Sequence, residues 1–435
     1  LDVVDKDEAA RRFRAALPER LDLGTETVAL SRALGRVLAE DVVSPVDVPG
    51  FDRSNMDGWA VVASDTFGAS EQAPVQLKIA AEAVSIGKLS AHELPAGEAM
   101  AIPTGGALPR GADAVVMVEC SELQADGRSV AINKAVTAGT AMSFAGIDIA
   151  RGETLLRRGE LITSRETGVL AAMGIARVAV RRRPRVGIVS TGNELVPPGG
   201  VAEPGQVFDA NATILADAVR ELGGVPTIMG IAADDAATLR AIVVRALAEH
   251  DVVLLSGGTS KGPGDLAAEV LSEVLEPPGV VVHGVALKPG KPLCLAVSGT
   301  TPLAVLPGFP TSAIFTFHEL VAPVLRELSG VPRTTHEQVE ATLPFRHRSD
   351  PGRCEQVLVH LVGDDGGGHV AYPITKGSGS ITTWCHADGY FTIDRHTELV
   401  AAGDRVLVRA LAGRQVRRPD LVAIGSHCIG LDVLV

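Results

Sequence analysis

The alternation of short apolar runs with helical patterns over residues 185–328 limits the fold of this chain more than any other feature of its sequence. Apolar strands are predicted at residues 186–190, 225–231, 252–255, 280–287 and 303–306. Helices are predicted at residues 213–222, 236–249, 266–274 and 312–328. Because helices that alternate with strands cover both faces of a sheet, this order predicts a doubly wound, mostly parallel α/β sheet.

The flanking segments predict further domains. Helix-spaced apolar residues at 5–17, 29–38 and 164–173 indicate a helical piece, and residues 49–147 carry short β-branched runs broken by Gly and Pro. Apolar runs at 355–362 and 405–409, separated by a glycine-rich turn at 363–368, indicate a second, smaller β domain. The predicted boundaries are 1–45 with 148–180 for a helical linker domain, 46–147 for an inserted β-rich domain, 181–330 for the α/β domain, and 331–418 for the C-terminal β domain. We expect residues 419–435 to begin a further domain that is cut short.

Composition excludes several classes of protein. The net charge of −12 and the pI near 5.4 argue against broad binding to nucleic acid. No apolar run approaches the roughly 20 residues of a membrane helix, so a cytoplasmic protein without membrane contact is expected. The five cysteines form no CxxC pair, which argues against a zinc site or a disulfide framework.

Polar clusters follow the predicted strands of the α/β region. The carboxyl ends of parallel strands meet at one edge of a sheet, where ligands bind, so these clusters are expected to converge. The segment SGGTSKGPGD at residues 256–265 is either a connector or an N–H-rich phosphate loop whose Asp265 suits a divalent cation. Lys288 and Lys291 flank a Pro-Gly turn, and that rigid turn favours an oxyanion clamp over a solvated surface.

Other polar residues at these strand ends have two interpretations each. Glu194, after the run Ser190-Thr191-Gly192-Asn193, is either a metal ligand or a cap of the next element. Asp234 and Asp235 are either ligands or N-caps of the following helix. The loop at residues 306–312, LPGFPTS, carries Ser312 to a helix N-terminus and is a candidate anion site.

Two polar segments in the β-rich region are also unusual. They are PGFDRSNMDGWA at residues 49–60 and IPTGGALPRGADAVVMVE at residues 102–119. Asp57 with Gly58 is either a turn or part of a site. Thr104 offers its hydroxyl either to an oxyanion or to a turn hydrogen bond.

These segments resemble the motifs of the molybdopterin molybdenumtransferase family. The run PGFDRSNMDGWA is similar to the family motif P-x(4)-S-x-MDGYA, and similar matches occur at IPTGGALPRGADAVVMVE, SGGTSKGPGD, LKPGKP and LPGFPTSA. The stretch at residues 377–380, followed by Ala387-Asp388-Gly389, matches the family's closing motif. The resemblance covers roughly residues 1–415 in the family's order.

The resemblance implies an architecture and a set of site residues. It implies a helical N-terminal piece completed by a returning segment, an inserted β domain, a molybdopterin-binding α/β domain and a C-terminal β domain. It also implies an elongated homodimer with the cleft between one subunit's α/β domain and the other's inserted domain. The implied catalytic residues are Asp57, Thr104, Asp148, Glu194, Asp234, Asp265 and Lys288, of which Glu194, Asp234 and Asp265 are metal ligands. The expected substrate-binding residues are Ser190, Thr191, Gly192, Gly257, Gly258, Thr259, Ser260, Lys291, Pro307, Gly308, Ser312, Arg353 and Ser378.

The implied reaction takes adenylylated molybdopterin and molybdate, uses Mg²⁺, and releases AMP with the metallated cofactor. Carboxylates for the cation, N–H-rich loops for phosphates and lysines for a tetrahedral oxyanion are the groups that such a reaction needs. Tungstate is nearly isosteric with molybdate and is an alternative substrate. A molybdopterin adenylyltransferase is the expected donor of the adenylylated pterin. Asp57 or Asp265 could instead orient the attacking oxyanion.

The chain departs from the family pattern at several positions. Phe309 replaces Asn in PGNP, Lys261 replaces a small apolar residue, Trp59 replaces Tyr, and Gly284 stands where some members have Lys. Similar variants occur in a subgroup fused to a periplasmic-binding-protein-like domain. The changes at Gly284 and Phe309 motivate an alternative function, a carrier that binds molybdopterin without catalysis. A third alternative, a nucleotide pyrophosphatase that shares only the α/β domain, is disfavoured by the motifs before Asp148 and after Arg353.

Overall fold

The computed structural model describes residues 2–258, 266–332, 337–363, 367–374 and 377–411. The chain divides into two compact units. One unit is Glu26–Val180, and the other combines Leu1–Thr25 with Arg181–Val435. Within the described residues, no helix combines the length and the apolar character that crossing a bilayer requires.

The unit Glu26–Val180 contains a six-stranded sheet with a core on each face. Its strand order is Ala114–Met117, Gly58–Val61, Glu98–Ile102, Val75–Ile79, Ser129–Ile132 and Ser121–Leu123, and only the central pair Glu98–Ile102 and Val75–Ile79 is parallel. Neighbouring residues of one strand point to opposite faces, as their period of two requires. Val61 therefore packs in one apolar cluster and Ala60 in the other.

The rest of this unit is built from short ribbons and one helix. The helix Ser164–Ala172 begins with a capping box between Thr163 and Glu166. The paired ribbons are Thr25–Ala29 with Arg177–Arg181, Val42–Val43 with Thr154–Leu156, and Arg53–Ser54 with Met142–Ser143. The prediction of a helix over residues 29–38 is wrong, because only the 3₁₀ turn Leu30–Arg32 forms there. Gly35 has φ +71°, and Leu38 bridges to Val180, so this segment pairs with the returning chain instead of coiling.

The second unit contains the predicted α/β sheet. Its strand order is Val225–Ala232, Arg185–Thr191, Val252–Ser256, Thr301–Leu306, Cys294–Ser298 and Pro278–His283. The first four strands are parallel to one another. Cys294–Ser298 pairs antiparallel with Thr301–Leu306, and Pro278–His283 pairs antiparallel with Cys294–Ser298. This confirms the multidomain α/β class, with two corrections. The strand Cys294–Ser298 was not predicted, and the strand predicted at 280–287 is interrupted after His283, because Gly284 has φ +103°.

Helices cover both faces of this sheet. Ala236–Glu249 and Leu266–Val274 pack on one face, where their apolar residues meet Val189, Val253 and Leu255. Lys6–Ala15, Ala210–Glu221 and the final helix pack on the other face, against Ile188 and Leu254. The final helix comprises Pro310–Thr316, a π-helical turn Phe317–Val321, and Ala322–Ser329. Successive residues of each central strand thus point to opposite faces of the sheet and pack in two separate hydrophobic cores.

The C-terminal part of this unit is a β sheet that closes on itself. The strand order is Leu287–Lys288, Cys354–Gly363, His369–Pro373, Gln338–Thr342, Arg405–Ala410 and Gly389–Ile393, and the last strand also pairs with Cys354–Gly363. A short ribbon joins His347–Arg348 to Leu399–Val400, and the helix Ile381–His386 precedes the strand Gly389–Ile393. The parallel pairing of Lys288 with Glu355 connects this sheet to the α/β domain.

Candidate functional site

The carboxyl ends of the four parallel strands form one continuous edge. Gly192 N–H donates to the Ala232 carbonyl at 3.3 Å, and Gly257 N–H donates to the Leu306 carbonyl at 3.0 Å. The Thr191 hydroxyl donates to the Ser256 carbonyl at 3.4 Å between them. The structure therefore brings together the ends of all four strands, which is where a crevice is expected in a parallel sheet.

Glycine is required where these strand ends approach one another. Gly257 has φ +100°, and a Cβ atom placed there would lie 2.5 Å from the Thr191 carbonyl oxygen. Gly258 has φ +72°, and a Cβ atom on Gly308 would contact the Gly257 Cα at 3.7 Å. Glycine at position 257 thus lets the strand ends lie this close together, and the half-buried Gly258 leaves backbone without a side chain at the edge. Thr259, Ser260 and Asp265, which continue this loop, lie outside the described residues.

Two buried polar atoms at this edge have no hydrogen-bond partner among the described residues. They are Ser190 Oγ, in a residue that is 1% exposed, and Asn211 Oδ1. The amide nitrogen of Asn211 donates to Ser256 Oγ and to the Gly308 carbonyl, both at 2.8 Å, which fixes the side chain between two strand ends. Asn211 was missed by sequence reasoning; the only signal was a polar residue at the start of an otherwise apolar helix face.

The acidic residues of this edge separate into different roles. Asp235 caps the helix Ala236–Glu249 by accepting the Thr238 N–H at 2.8 Å, a bond that lowers the pKa of Asp235. Asp234 does not cap this helix; it accepts the Asn193 N–H at 3.3 Å, while its own N–H donates to Asn193 Oδ1 at 3.2 Å. Glu194 is exposed, and its carboxylate lies against Gly192. A Cβ atom placed on Gly192 would be 2.6 Å from the Glu194 carboxylate. Within the described parts of the chain, no three Asp, Glu, His or Cys residues form a metal-binding group.

The Lys288 loop lies beside the C-terminal sheet. The Lys288 ammonium forms ion pairs with Glu355 and Asp350, each at 3.2 Å. Lys291, by contrast, contributes its backbone carbonyl to a 2.9 Å hydrogen bond from Val285 N–H. Arg353 is half-buried and forms no hydrogen bond or ion pair with another described residue. Two carboxylates thus hold the Lys288 ammonium, whereas the side chains of Lys291 and Arg353 form no hydrogen bond or ion pair within the described parts of the chain.

Ser312 lies in the first turn of the final helix, and the segment around Ser378 is hydrogen-bonded to that turn. The Ser378 carbonyl accepts the Thr311 N–H at 3.2 Å, and the Ser380 carbonyl accepts the Thr311 hydroxyl at 3.0 Å. Ser312 is buried, and its carbonyl accepts the Thr316 hydroxyl at 2.8 Å. Two hydrogen bonds thus hold the Ser378 segment against the loop that follows Pro307 and Gly308.

In the unit Glu26–Val180, Asp57 and Thr104 form a contact pair. The Asp57 carboxylate accepts the Thr104 N–H at 2.6 Å and the Thr104 hydroxyl at 3.0 Å. The backbone bond, and then the hydroxyl bond, lower the pKa of Asp57, so the group is ionised at neutral pH. Gly58 lets this strand approach its neighbour, since a Cβ atom there would overlap the Val116 carbonyl. Asp148 is exposed, and its N–H donates to the Val48 carbonyl at 3.1 Å; its side chain does not join Asp57 and Thr104.

A parallel α/β sheet with glycine turns and buried polar side chains at its strand ends is characteristic of α/β proteins that bind their ligands at this edge. Family profiles match three regions: "MoeA N-terminal region (domain I and II)" at residues 4–174, "Probable molybdopterin binding domain" at 187–327, and "MoeA C-terminal region (domain IV)" at 340–411. The chain belongs to the molybdopterin molybdenumtransferase family, the transferases of molybdenum cofactor biosynthesis.

Individual relatives and solved structures agree with this assignment. Molybdopterin molybdenumtransferase 2 of Mycobacterium tuberculosis (strain H37Rv) is 36% identical over 389 residues, which cover 88% of this chain and 94% of the relative. Molybdopterin molybdenumtransferase of Haemophilus influenzae is 30% identical over 406 residues, 92% of this chain and 97% of the relative. The crystal structure of a molybdopterin biosynthesis moea protein from Pyrococcus horikosii covers 95% of this chain and 100% of its own, with 39% identity and a TM-score of 0.80. The resemblance and the fold class inferred from the sequence are thereby confirmed.

Proposed function

We propose that this protein inserts molybdate, or tungstate, into adenylylated molybdopterin and releases AMP in a Mg²⁺-dependent reaction. The observation that carries the proposal is the strand edge, where Ser190 Oγ and Asn211 Oδ1 are buried without a hydrogen-bond partner among the described residues. Buried polar atoms are normally paired, so unpaired ones at the ligand-binding edge of a parallel sheet suit a polar ligand that completes their hydrogen bonds. A nucleotide-linked pterin supplies such donors and phosphate oxygens together.

The residues at this edge are compatible with Mg²⁺. Glu194 and Asp234 are exposed carboxylates, of which Glu194 follows Asn193 in the chain and Asp234 is hydrogen-bonded to Asn193, and both are hard oxygen ligands. Mg²⁺ is commonly held by one or two carboxylates together with substrate phosphates, so it does not need a third acid from the protein. Glu194 and Asp234, with the predicted ligand Asp265, would hold the ion, and its charge would offset that of the pyrophosphate.

The other polar residues have complementary roles in this proposal. Lys288, Lys291, Arg353 and Ser378 bind the oxyanion or the pterin phosphate, and the glycine turn with Ser312 binds the phosphate groups. Asp57, held ionised by Thr104, orients the attacking oxyanion or accepts a hydrogen bond from the substrate. Charge stabilisation by fixed donors is sufficient for this transfer, and no side chain needs to act as a covalent nucleophile.

The decisive experiment measures AMP release from adenylylated molybdopterin with Mg²⁺, and without oxyanion or with graded molybdate or tungstate. Release that depends on the oxyanion supports the transferase, and the lower half-saturating concentration identifies the preferred metal. Tight binding of the pterin with no AMP release under any condition contradicts the proposal and supports the carrier alternative. Supply of the substrate by a molybdopterin adenylyltransferase is part of the same proposal and is tested by coupling the two proteins.

We also propose a homodimer in which each cleft combines Asp57, Thr104 and Asp148 of one subunit with the strand edge of the other. A twofold dimer has two equivalent clefts. Mixing Asp57→Asn and Lys288→Ala subunits therefore creates one cleft with both changes and one with neither, and AMP release should return. Mixing Asp57→Asn with Thr104→Ala should not restore release. Equal behaviour of the two mixtures would contradict the shared cleft and leave the reaction itself unaffected.

A further inference from the structure

Lys288 is held by two carboxylates with very different surroundings. Both Glu355 Oε1 and Asp350 Oδ2 lie 3.2 Å from the Lys288 ammonium. The Glu355 side chain is 9% exposed, whereas the Asp350 side chain is 57% exposed. The ammonium is therefore anchored on its buried side and paired with a solvent-accessible carboxylate on its open side.

Glu355 is fixed by several independent contacts. Its backbone lies in register with Lys288 in the parallel pairing, and Cys354 N–H donates to the Ala286 carbonyl at 2.9 Å next to it. His347 Nε2 lies 3.4 Å from the Oε1 atom that also contacts Lys288. Burial alone would raise the pKa of Glu355, but the His347 hydrogen bond and the Lys288 charge lower it, so the carboxylate is ionised. Removing this charge from a buried site would leave Lys288 without its anchor.

Asp350 can leave Lys288 by rotating its side chain alone. It lies in the turn between His347–Arg348 and Cys354–Gly363, and the backbone on both sides of it is fixed. Ser349 N–H donates to the Glu398 carbonyl at 2.9 Å, and Gly352 N–H donates to the Arg395 carbonyl at 2.8 Å. Solvent-exposed ion pairs contribute little free energy, so breaking the contact with Asp350 is inexpensive.

We infer that Asp350 competes with the substrate oxyanion for Lys288, and that Glu355 is a positioning residue that keeps the ammonium in place during this exchange. The inference rests on the proposed function. A carboxylate and a tetrahedral oxyanion both present an anionic oxygen to the ammonium, which has three N–H donors. The oxyanion takes the donor released by Asp350 while Glu355 keeps its own. Asp350 thereby sets the oxyanion concentration at which the site fills.

The two carboxylates are expected to have opposite effects on oxyanion binding. Asp350→Asn removes the competitor and should lower the half-saturating molybdate concentration about two- to fivefold, the range expected for an exposed ion pair. Glu355→Gln removes the anchor and should raise that concentration about tenfold or more, as the loss of a charge-assisted contact does. A purely structural role for both residues would weaken binding in both variants.

The experiment measures molybdate-dependent AMP release and, separately, the calorimetric binding of molybdate alone. Asp217→Asn is the matched control, because Asp217 is an equally exposed acid, paired with Arg220, and the change alters the net charge identically. The half-saturating concentration of adenylylated molybdopterin should stay unchanged in Asp350→Asn. Unchanged or weaker molybdate binding in Asp350→Asn, or the same gain in Asp217→Asn, overturns the inference.

The design separates this inference from the proposed function. Oxyanion-dependent AMP release by the wild type with no opposite effect of the two variants rejects the competition and keeps the transferase. Absence of release by the wild type rejects the transferase, and calorimetry with molybdate still tests the competition. Because Asp350 is exposed, its replacement leaves the hydrophobic core unchanged. Molybdate binding by Asp350→Asn therefore tests the competition even where Glu355→Gln does not fold.

Discussion

Replacement of Gly257 by alanine tests the packing of the strand edge most directly. An alanine at φ +100° costs about 1–2 kcal/mol, since an L residue crowds its own carbonyl in the left-handed region. The new Cβ atom would also lie 2.5 Å from the Thr191 carbonyl oxygen, below the 3.0 Å that real Cβ contacts respect. The two strand ends would have to separate, which adds about 1–3 kcal/mol as overpacking does. We therefore expect Gly257→Ala to lower the free energy of unfolding by about 2–5 kcal/mol.

Gly205→Ala is the matched control, because it isolates the backbone conformation from the clash. Gly205 has φ +94°, and no atom lies within 4 Å of the Cβ position. Its replacement should cost only about 1–2 kcal/mol. Urea unfolding followed by circular dichroism gives both values. Equal losses in the two variants would refute the claim that the close approach to Thr191, and not only the conformation, requires glycine at position 257.

Three further predictions concern single residues. The Thr104 hydrogen bonds depress the pKa of Asp57, so the stabilisation they provide is complete above the unfolded-state pKa of about 3.9 and is lost as the pH falls through the lower folded-state value. The difference in melting temperature between wild type and Asp57→Asn should therefore be constant near neutrality and shrink on acidification; a difference independent of pH would contradict this. Phe309 is the N-cap of the final helix without a side-chain cap bond, so Phe309→Asn should raise the free energy of urea unfolding by about 0.5–1 kcal/mol, whereas Phe309→Ala should give no gain. Gly284 is buried and has φ +103°, so Gly284→Lys should lower the free energy of unfolding by more than the about 1–2 kcal/mol that the backbone conformation alone costs, because a buried lysine also loses hydration; wild-type stability of that variant would contradict this.

Elements with strong local signals were predicted well. The helices Ala236–Glu249 and Leu266–Val274 match their predicted bounds, because apolar periodicity and, for the first, the cap residue Asp235 define them locally. The strand Cys294–Ser298 was missed, since it is buried and separated from the next strand only by a short turn at Gly299. A fully buried strand lacks the alternation that makes strands recognisable, and only its pairing partners show where it ends.

The same distinction applies to the candidate site. Glycine turns and polar clusters after strands were visible in the sequence because the topology of parallel sheets places them at one edge. Asn211 and Glu355 were not visible, because each lies within an apolar helix or strand pattern and acquires its role through partners distant in the chain. Asn211 contacts Ser256 and Gly308, and Glu355 contacts Lys288 and His347. Such side chains are recognised only when tertiary structure shows what they touch.

Unsatisfied polar groups connect these two missed residues. Asn211 Oδ1 and Glu355 Oε2 are both buried without a partner among the described residues, although another atom of each side chain is firmly bound. An unmade hydrogen bond in a buried site costs about 1–3 kcal/mol, and folding alone would favour apolar replacements. At Asn211 the bonded amide nitrogen fixes the direction in which Oδ1 points, so the orientation of a ligand at the strand edge is specified before it arrives. A ligand that pairs with Asn211 Oδ1 recovers free energy that the protein itself leaves unused, which favours binding over stability at that position, whereas Glu355 acts only through Lys288.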